Sequence, residues 1–335
     1  MSVFNYNKGV SNIADIEINF KRGITMGTMN NKRLMIKVCE LYYIQNKSQK
    51  EISAILGISR PQICRLITAA KEGGIVNISI SNPYVRETEL ENRLIGCFGI
   101  RDALVVDSTC GEGENRMQSF AKEASRLVED YIPQDARVGV MSGYTCKAMI
   151  DAMEQSPKKL KLVVPLTGGI STTNMSIHAD TLAQKLADLH GTSALNLNAP
   201  AVVSDLNLAV SLRKEESIAK VLEAGKKVDI ALVGIGNLSE GATNIQLGSL
   251  RKQDVDELRR QGAVASVCSS YLDKDGREVG QEILERSIGQ SLKDLKKSRI
   301  IAAAIGDSKV EAIKAALKSG KIDILVTDLD TAKQI

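Results

Sequence analysis

The chain has 335 residues, 43% hydrophobic and 25% charged, with a formal net charge of +4. These values are ordinary for a soluble globular protein, and the length fits a small module joined to a larger one. No stretch approaches the roughly 20 apolar residues of a membrane span, and the N-terminus lacks a continuous apolar signal core, so a cytoplasmic protein with no membrane partner is expected. The six cysteines, Cys39, Cys64, Cys97, Cys110, Cys146 and Cys268, form no CxxC pair and have no histidine cluster beside them. That spacing argues against a zinc site or a disulfide framework. Reduced thiols are expected, with no metal and no cofactor.

Residues 1–28 are polar and weakly patterned, and they read as a disordered extension without an assigned function. From residue 29 to 82 the pattern becomes helical. Asn31 to Asn46 reads as a first helix with Leu34, Val38, Leu41 and Tyr42 on one face. The stretch SQKEISAILGISRPQICRLITAA, Ser48 to Ala70, then encodes two short helices joined by a tight turn. Ser48 and Glu51 have the spacing of a capping box, and Gln49 opens the helix behind that cap. Ser59 and Gln62 repeat the spacing, with Pro61 in the first turn, where a missing amide hydrogen costs little. Leu56-Gly57-Ile58 supplies the turn glycine between apolar anchors.

In the second helix Ile63, Leu66, Ile67 and Ala70 recur at helical spacing and should face inward, leaving Arg60, Gln62 and Arg65 outside. Arginine pairs in bidentate fashion with guanine, and glutamine with adenine, so this face suits the major groove of double-stranded DNA. Asn30 to Ile80 carries eight Lys or Arg against three Glu, a local excess of +5. Any small capped helical bundle with a solvated basic face would share part of this pattern; two caps at this spacing favour DNA. Gly73-Gly74 should stop the second helix, and Ile75 to Ile80 alternates as a short strand, expected as a wing.

Residues 83–335 read as the larger domain, and from Thr88 onward the pattern changes to repeated units of a short aliphatic strand followed by a helix. The strands are Ala103–Val106, Arg137–Val140, Lys161–Leu166, Asp229–Val233, Ile300–Ala304 and Ile322–Val326. Such alternation predicts a parallel sheet covered on both faces, with ligands at the carboxyl ends of its strands. The loops there have suitable chemistry. VGVMSGYT runs from a strand through a small hydroxylated turn into a helix, where backbone amides and the helix dipole attract phosphate. Thr167-Gly168-Gly169 and Gly234-Ile235-Gly236 follow other strands, and Gly306-Asp307-Ser308-Lys309 brings an ammonium to another helix start. Of the two histidines, His178 stands where it could meet a ligand, and His190 reads as the end of a helix.

Taken in order, the helix-turn-helix, VGVMSGYT, VVPLTGG, VDIALVGIGN, YLDKDGR and IGDSKVEAIKAALKSGKIDILVTDLDTAK resemble the SorC family of bacterial sugar-responsive transcriptional regulators. The resemblance runs from Asn31 to the C-terminus. It implies a small all-α helix-turn-helix domain, with a wing expected, followed by a Rossmann-like three-layer α/β/α domain related to phosphosugar isomerases and coenzyme A transferases. It also implies a sensor of a phosphorylated sugar or polyol. By position, Ser142, Gly143, Tyr144 and Thr145 would hold the phosphate and Lys309 would neutralise it. Gly168, Gly169 and His178 would border the sugar, and Asp273 would accept hydrogen bonds from its hydroxyls. On the DNA side the corresponding residues are Ser48, Gln49, Ser59, Arg60, Gln62 and Arg65.

Met141 and Tyr144 make the first loop bulkier than is usual in the family, and IGDSK replaces a more usual double glycine before the lysine. Cys64 stands where the family often has serine and is expected to face inward or toward the backbone. A symmetric operator requires paired modules about 34 Å apart, so a homo-oligomer, dimer or tetramer, is expected. The competing reading is a phosphosugar isomerase or deaminase carrying a helical module, with Asp273, His178 and Lys309 as nominal acid and base. No compact acid/base motif supports that chemistry.

Overall fold

The computed structural model describes residues 28–76, 85–107, 114–171, 174–239 and 250–335. The chain divides into two compact units, one ending at Asn82 and one starting at Pro83. The predicted wing at Ile75 to Ile80 falls largely outside the described residues, as do residues 1–27.

In the first unit, helix α1 spans Thr28–Cys39 and continues as a π-helical turn over Glu40–Ile44. The Gln45 N–H donates to the Glu40 carbonyl, five residues back, at 3.0 Å. The regular helix expected over this segment is therefore widened by one residue in its last turn. Helix α2, Gln49–Leu56, ends on Gly57, whose φ of +65° turns the chain toward helix α3, Arg60–Glu72. Val38, Leu41, Ile52, Ile63 and Ile67 form the core of the unit, and Leu34, Tyr42 and Leu66 close it at the sides.

The second unit is built on six parallel strands: β1 Asp102–Val106, β2 Arg137–Val140, β3 Leu162–Pro165, β4 Ile230–Gly234, β9 Arg299–Ala303 and β10 Ile324–Asp328. Their order across the sheet is β1-β10-β9-β4-β2-β3. Each expected strand is one of these six. Successive side chains point to opposite faces, and both faces are dry. Ile230 and Leu232 lie in one core with Phe120, Met149 and Leu186; Ala231 and Val233 lie in the other with Leu94, Val221 and Ile313. The first core is covered by α5 Glu114–Tyr131, α6 Tyr144–Ala152 and α7 Ala179–Leu189. Residues of α4 Val85–Phe98, α9 Glu216–Gly225 and α12 Val310–Lys318 belong to the second. β2 leads to β3 on one side, and β4 lies on its other side. That reversal is the switch point at which such sheets hold ligands.

The sequence reading missed a second sheet. It is antiparallel, in the order β5 Gly236–Asn237, β6 Ala263–Val267, β7 Ser270–Asp273 and β8 Glu278–Val279. A small core of Leu250, Val255, Leu258, Tyr271 and Ile283 joins it to helix α10, Lys252–Arg260. Helices α8 Leu206–Lys214, α11 Gln281–Glu285 and α13 Leu329–Gln334 are further elements of this unit.

Candidate functional site

The first unit presents α3 from a doubly capped frame. Ser48 Oγ accepts the Glu51 N–H at 3.3 Å, and the Glu51 carboxylate accepts the Ser48 N–H at 2.8 Å. The backbone N–H and hydroxyl of Ser48 hold the Glu51 pKa below the usual carboxylate value. Ser59 Oγ accepts the Gln62 N–H at 3.4 Å at the start of α3. Arg60 and Arg65 are exposed, whereas Gln49 and Gln62 are half-buried. Cys64 is exposed, not turned inward or toward the backbone as the sequence reading held. With Ile63 and Ile67 set in the core, the residue after Ile63 is swung about 100° round the helix and out of it.

In the second unit the loops after β2, β3 and β9 meet at the carboxyl edge of the sheet. The Ser142 N–H donates to Thr167 Oγ1 at 3.4 Å, and the Thr167 hydroxyl donates to Ser142 Oγ at 3.2 Å, which ties the first two loops together. Gly143 precedes α6 with a φ of +139°, a conformation that favours glycine, and no side chain caps the helix. The first amides of α6, at Tyr144, Thr145 and Cys146, lie before the first intrahelical acceptor and form its positive end. Thr145 and Cys146 are buried, but Tyr144 is 47% exposed.

Lys309 stands at the start of α12, after Gly306, whose φ is +104°. Asn237 Nδ2 holds this turn by donating to the Ser308 carbonyl at 2.8 Å. Burial pulls the Lys309 pKa below the ordinary lysine value, opposed weakly by the Cys146 thiol. Burial pushes Cys146 itself up to about 12, so it stands there as a neutral thiol. Among the described residues no carboxylate pairs with Lys309. β9 and β2 are separated by β4, which places the Lys309 and Ser142 loops two strand spacings apart, about 10 Å.

His178 is 8% exposed, and its Nε2 has no hydrogen-bond partner among the described residues. Gly169 faces it: a Cβ there would stand 4.0 Å from His178 Nδ1. Gly168 serves packing instead, since a Cβ there would meet the Ala199 carbonyl at 2.6 Å. Between these loops lies a cavity of about 70 Å³ lined by Met141, Ser142, Thr167, Ser266, Cys268 and Ser269. An open groove of about 520 Å³ adjoins it through Ile170 and Val202, and Gly169, Asp180 and Asn198 line that groove.

The structure therefore gathers Ser142, Gly143, Thr145, Gly169 and His178 at one edge, with Lys309 facing them across β4. Asp273 does not join them. It ends β7, and its Oδ1 accepts the N–H groups of Asp275 and Arg277 at 2.9 Å each, inside its own hairpin turn. That turn rests on the last residues of α12, whereas Lys309 stands at the first; the nine-residue helix between them is about 13 Å long. Thr167 was read only as part of a glycine loop, yet its hydroxyl links two walls of the site. Met141 was read only as bulk in the first loop, and Cys146 and Cys268 were missed, since thiols far apart in sequence give no motif to read.

Residues 82–335 match the family described as "Putative sugar-binding domain". The chain is 30% identical over 305 residues to the deoxyribonucleoside regulator of Bacillus subtilis, covering 91% of this chain and 97% of the relative. It is 27% identical over 314 residues to the sorbitol operon regulator of Klebsiella pneumoniae, covering 92% and 99%. Among solved structures, the full-length SorC regulator of Klebsiella pneumoniae superposes with a TM-score of 0.69 at 26% identity, covering 90% of this chain and 97% of that one. A DeoR family regulator from Listeria monocytogenes gives 0.69 at 31% identity, covering 74% and 99%. All of these relatives are named as regulators, which sets the chain among regulators and not among enzymes. By the extent of these matches and the order of its two units, the chain belongs to the SorC family of transcriptional regulators carrying a sugar-binding domain.

Proposed function

We propose that this regulator binds operator DNA through α2 and α3 as a homo-oligomer, and that a phosphorylated sugar or polyol in the second unit sets its DNA affinity. The phosphate sits between the uncapped start of α6 and the Lys309 ammonium; the hydroxyls extend past His178 and Gly169 into the groove beside Asp180 and Asn198. The observation that carries this reading is Lys309: a half-buried cation with no carboxylate partner among the described residues, placed at one helix start and facing another. A cation drawn partly out of water without a partner is unfavourable, and an anion relieves the cost. The orphaned Nε2 of His178 supports the sugar end in the same way. The small cavity has room for about two water molecules, so a sugar-sized ligand must reach into the groove. The relatives named for deoxyribonucleosides and sorbitol fit a ligand of this size.

Thermal unfolding of the full chain against a panel of phosphorylated sugars and polyols tests the reading. A matching ligand at 100 times its dissociation constant adds about 2.7 kcal/mol of stability, and its unphosphorylated counterpart adds none. Lys309→Ala should abolish the shift while the unliganded protein stays folded. A shift of equal size from the unphosphorylated compounds, or one that survives Lys309→Ala, would refute the phosphate site.

A further inference from the structure

The buried stripe of α3 is Ile63, Ile67 and Ala70, with Leu66 half-buried beside it. Directly across the helix, Pro61, Cys64, Arg65 and Thr68 recur at the i, i+3, i+4, i+7 spacing of a single face, and all four are exposed. The sequence reading had taken Arg60, Gln62 and Arg65 as the outer face. Gln62 lies instead on the shoulder, half-buried, and Arg60 lies at the helix start on the other shoulder. The strip is chemically uneven. Arg65 alone carries a charge and a forked donor; the Pro61 ring, the Thr68 methyl and the Cys64 thiol are apolar or weak donors. In the major groove guanine offers O6 and N7 to an arginine fork, and thymine offers its methyl group to apolar contacts.

We propose that this strip reads the operator, with Arg65 on a guanine and Cys64 and Thr68 against thymine methyl groups beside it, while Arg60 holds phosphate. The proposal rests on the DNA-binding reading above and deepens it to the base chemistry of a half-site. The exposed Cys64 thiol is its own reporter. Among the described cysteines Cys64 and Cys97 are exposed, and Cys39, Cys146 and Cys268 are buried. Cys97 lies on α4, in the other unit, and serves as an internal control.

The experiment uses the full chain and the duplex it selects from a randomised library. N-ethylmaleimide labelling, followed residue by residue by mass spectrometry, should lose its Cys64 signal at saturating duplex while Cys97 labels at an unchanged rate. Replacing thymine by uracil removes only the methyl group, and at the contacted positions it should weaken binding about fourfold, the worth of one buried methylene-sized group. Arg65→Ala should weaken binding about tenfold or more and relax preference at the guanine. If Cys64 labels on the bound duplex as fast as in the free protein, or if uracil at every thymine leaves affinity unchanged, the proposal is overturned while DNA binding stands. A chain that selects no duplex under any effector condition removes the DNA-binding reading, and this proposal with it.

Discussion

His190 ends α7 with its ring buried, Nδ1 donating to the Lys158 carbonyl at 2.9 Å and Nε2 lying 3.4 Å from a Glu129 oxygen. Ser156 Oγ donates to the other Glu129 oxygen at 2.6 Å. Burial alone would lower the imidazole pKa, but the Glu129 carboxylate and the Lys158 carbonyl outweigh it and raise it above 6.5. Burial likewise works against Glu129, and the neighbouring His190 ring with the Ser156 hydrogen bond outweighs it and holds its pKa below 4.5. For His190 the stabilisation is complete below the unfolded value of about 6.5 and is lost as pH rises through the raised folded value. For Glu129 it is present above about 4.5 and is lost as pH falls through the lowered folded value. The unfolding temperature of the unliganded chain should therefore decline as pH rises from about 6 to about 8. His190→Asn should flatten that decline; an unchanged slope would assign it to other groups. The sequence showed His190 as a helix end, which it is, but no local pattern pointed to Glu129 from another helix.

At the level of elements, the β7–β8 hairpin explains both a stability prediction and why Asp273, expected in the site, stands outside it. Gly276 sits in its turn with a φ of +81°, and a Cβ there would stand 2.4 Å from the Ser319 backbone N. Gly276→Ala should cost about 1–2 kcal/mol for the left-handed backbone alone, with the steric overlap against Ser319 added to it. Urea titration should show a lower midpoint; an unchanged midpoint would mean that the turn does not press on α12. The same turn occupies the Asp273 carboxylate. The six strands of the parallel sheet were legible because each is a run of mostly aliphatic residues bounded by turn residues. The antiparallel sheet was not: β5 and β8 have two residues each. β6 and β7 reverse at Cys268-Ser269, where Cys268 takes a φ of +51° without the glycine or asparagine that usually announces such a turn.

For the molecule as a whole, the proposed function places operator reading at one site and a metabolite at another, and linkage makes their coupling reciprocal. If the effector changes operator affinity by some factor, the operator must change effector affinity by the same factor. Titrating the effector with and without saturating operator duplex should give the factor found by titrating the duplex with and without effector. Two independent sites would give a factor of one in both experiments, and the proposed control would then be absent. The two-unit plan could be read because helical spacing changes to strand-helix alternation near residue 88. The exact walls of the metabolite site could not, because they come from loops brought together only by the strand order.

That order has a consequence for how the protein is made. β1 pairs with β10, which also pairs with β9, so residue 102 must wait for residue 324 before its strand gains a neighbour. Chains emerge from the ribosome amino end first, and domains generally fold as units in that sequence. The helical unit is therefore able to settle early in translation, while the sheet gapes open until its last strand slots in. During that interval the newborn molecule holds a finished helical unit and an incomplete sheet.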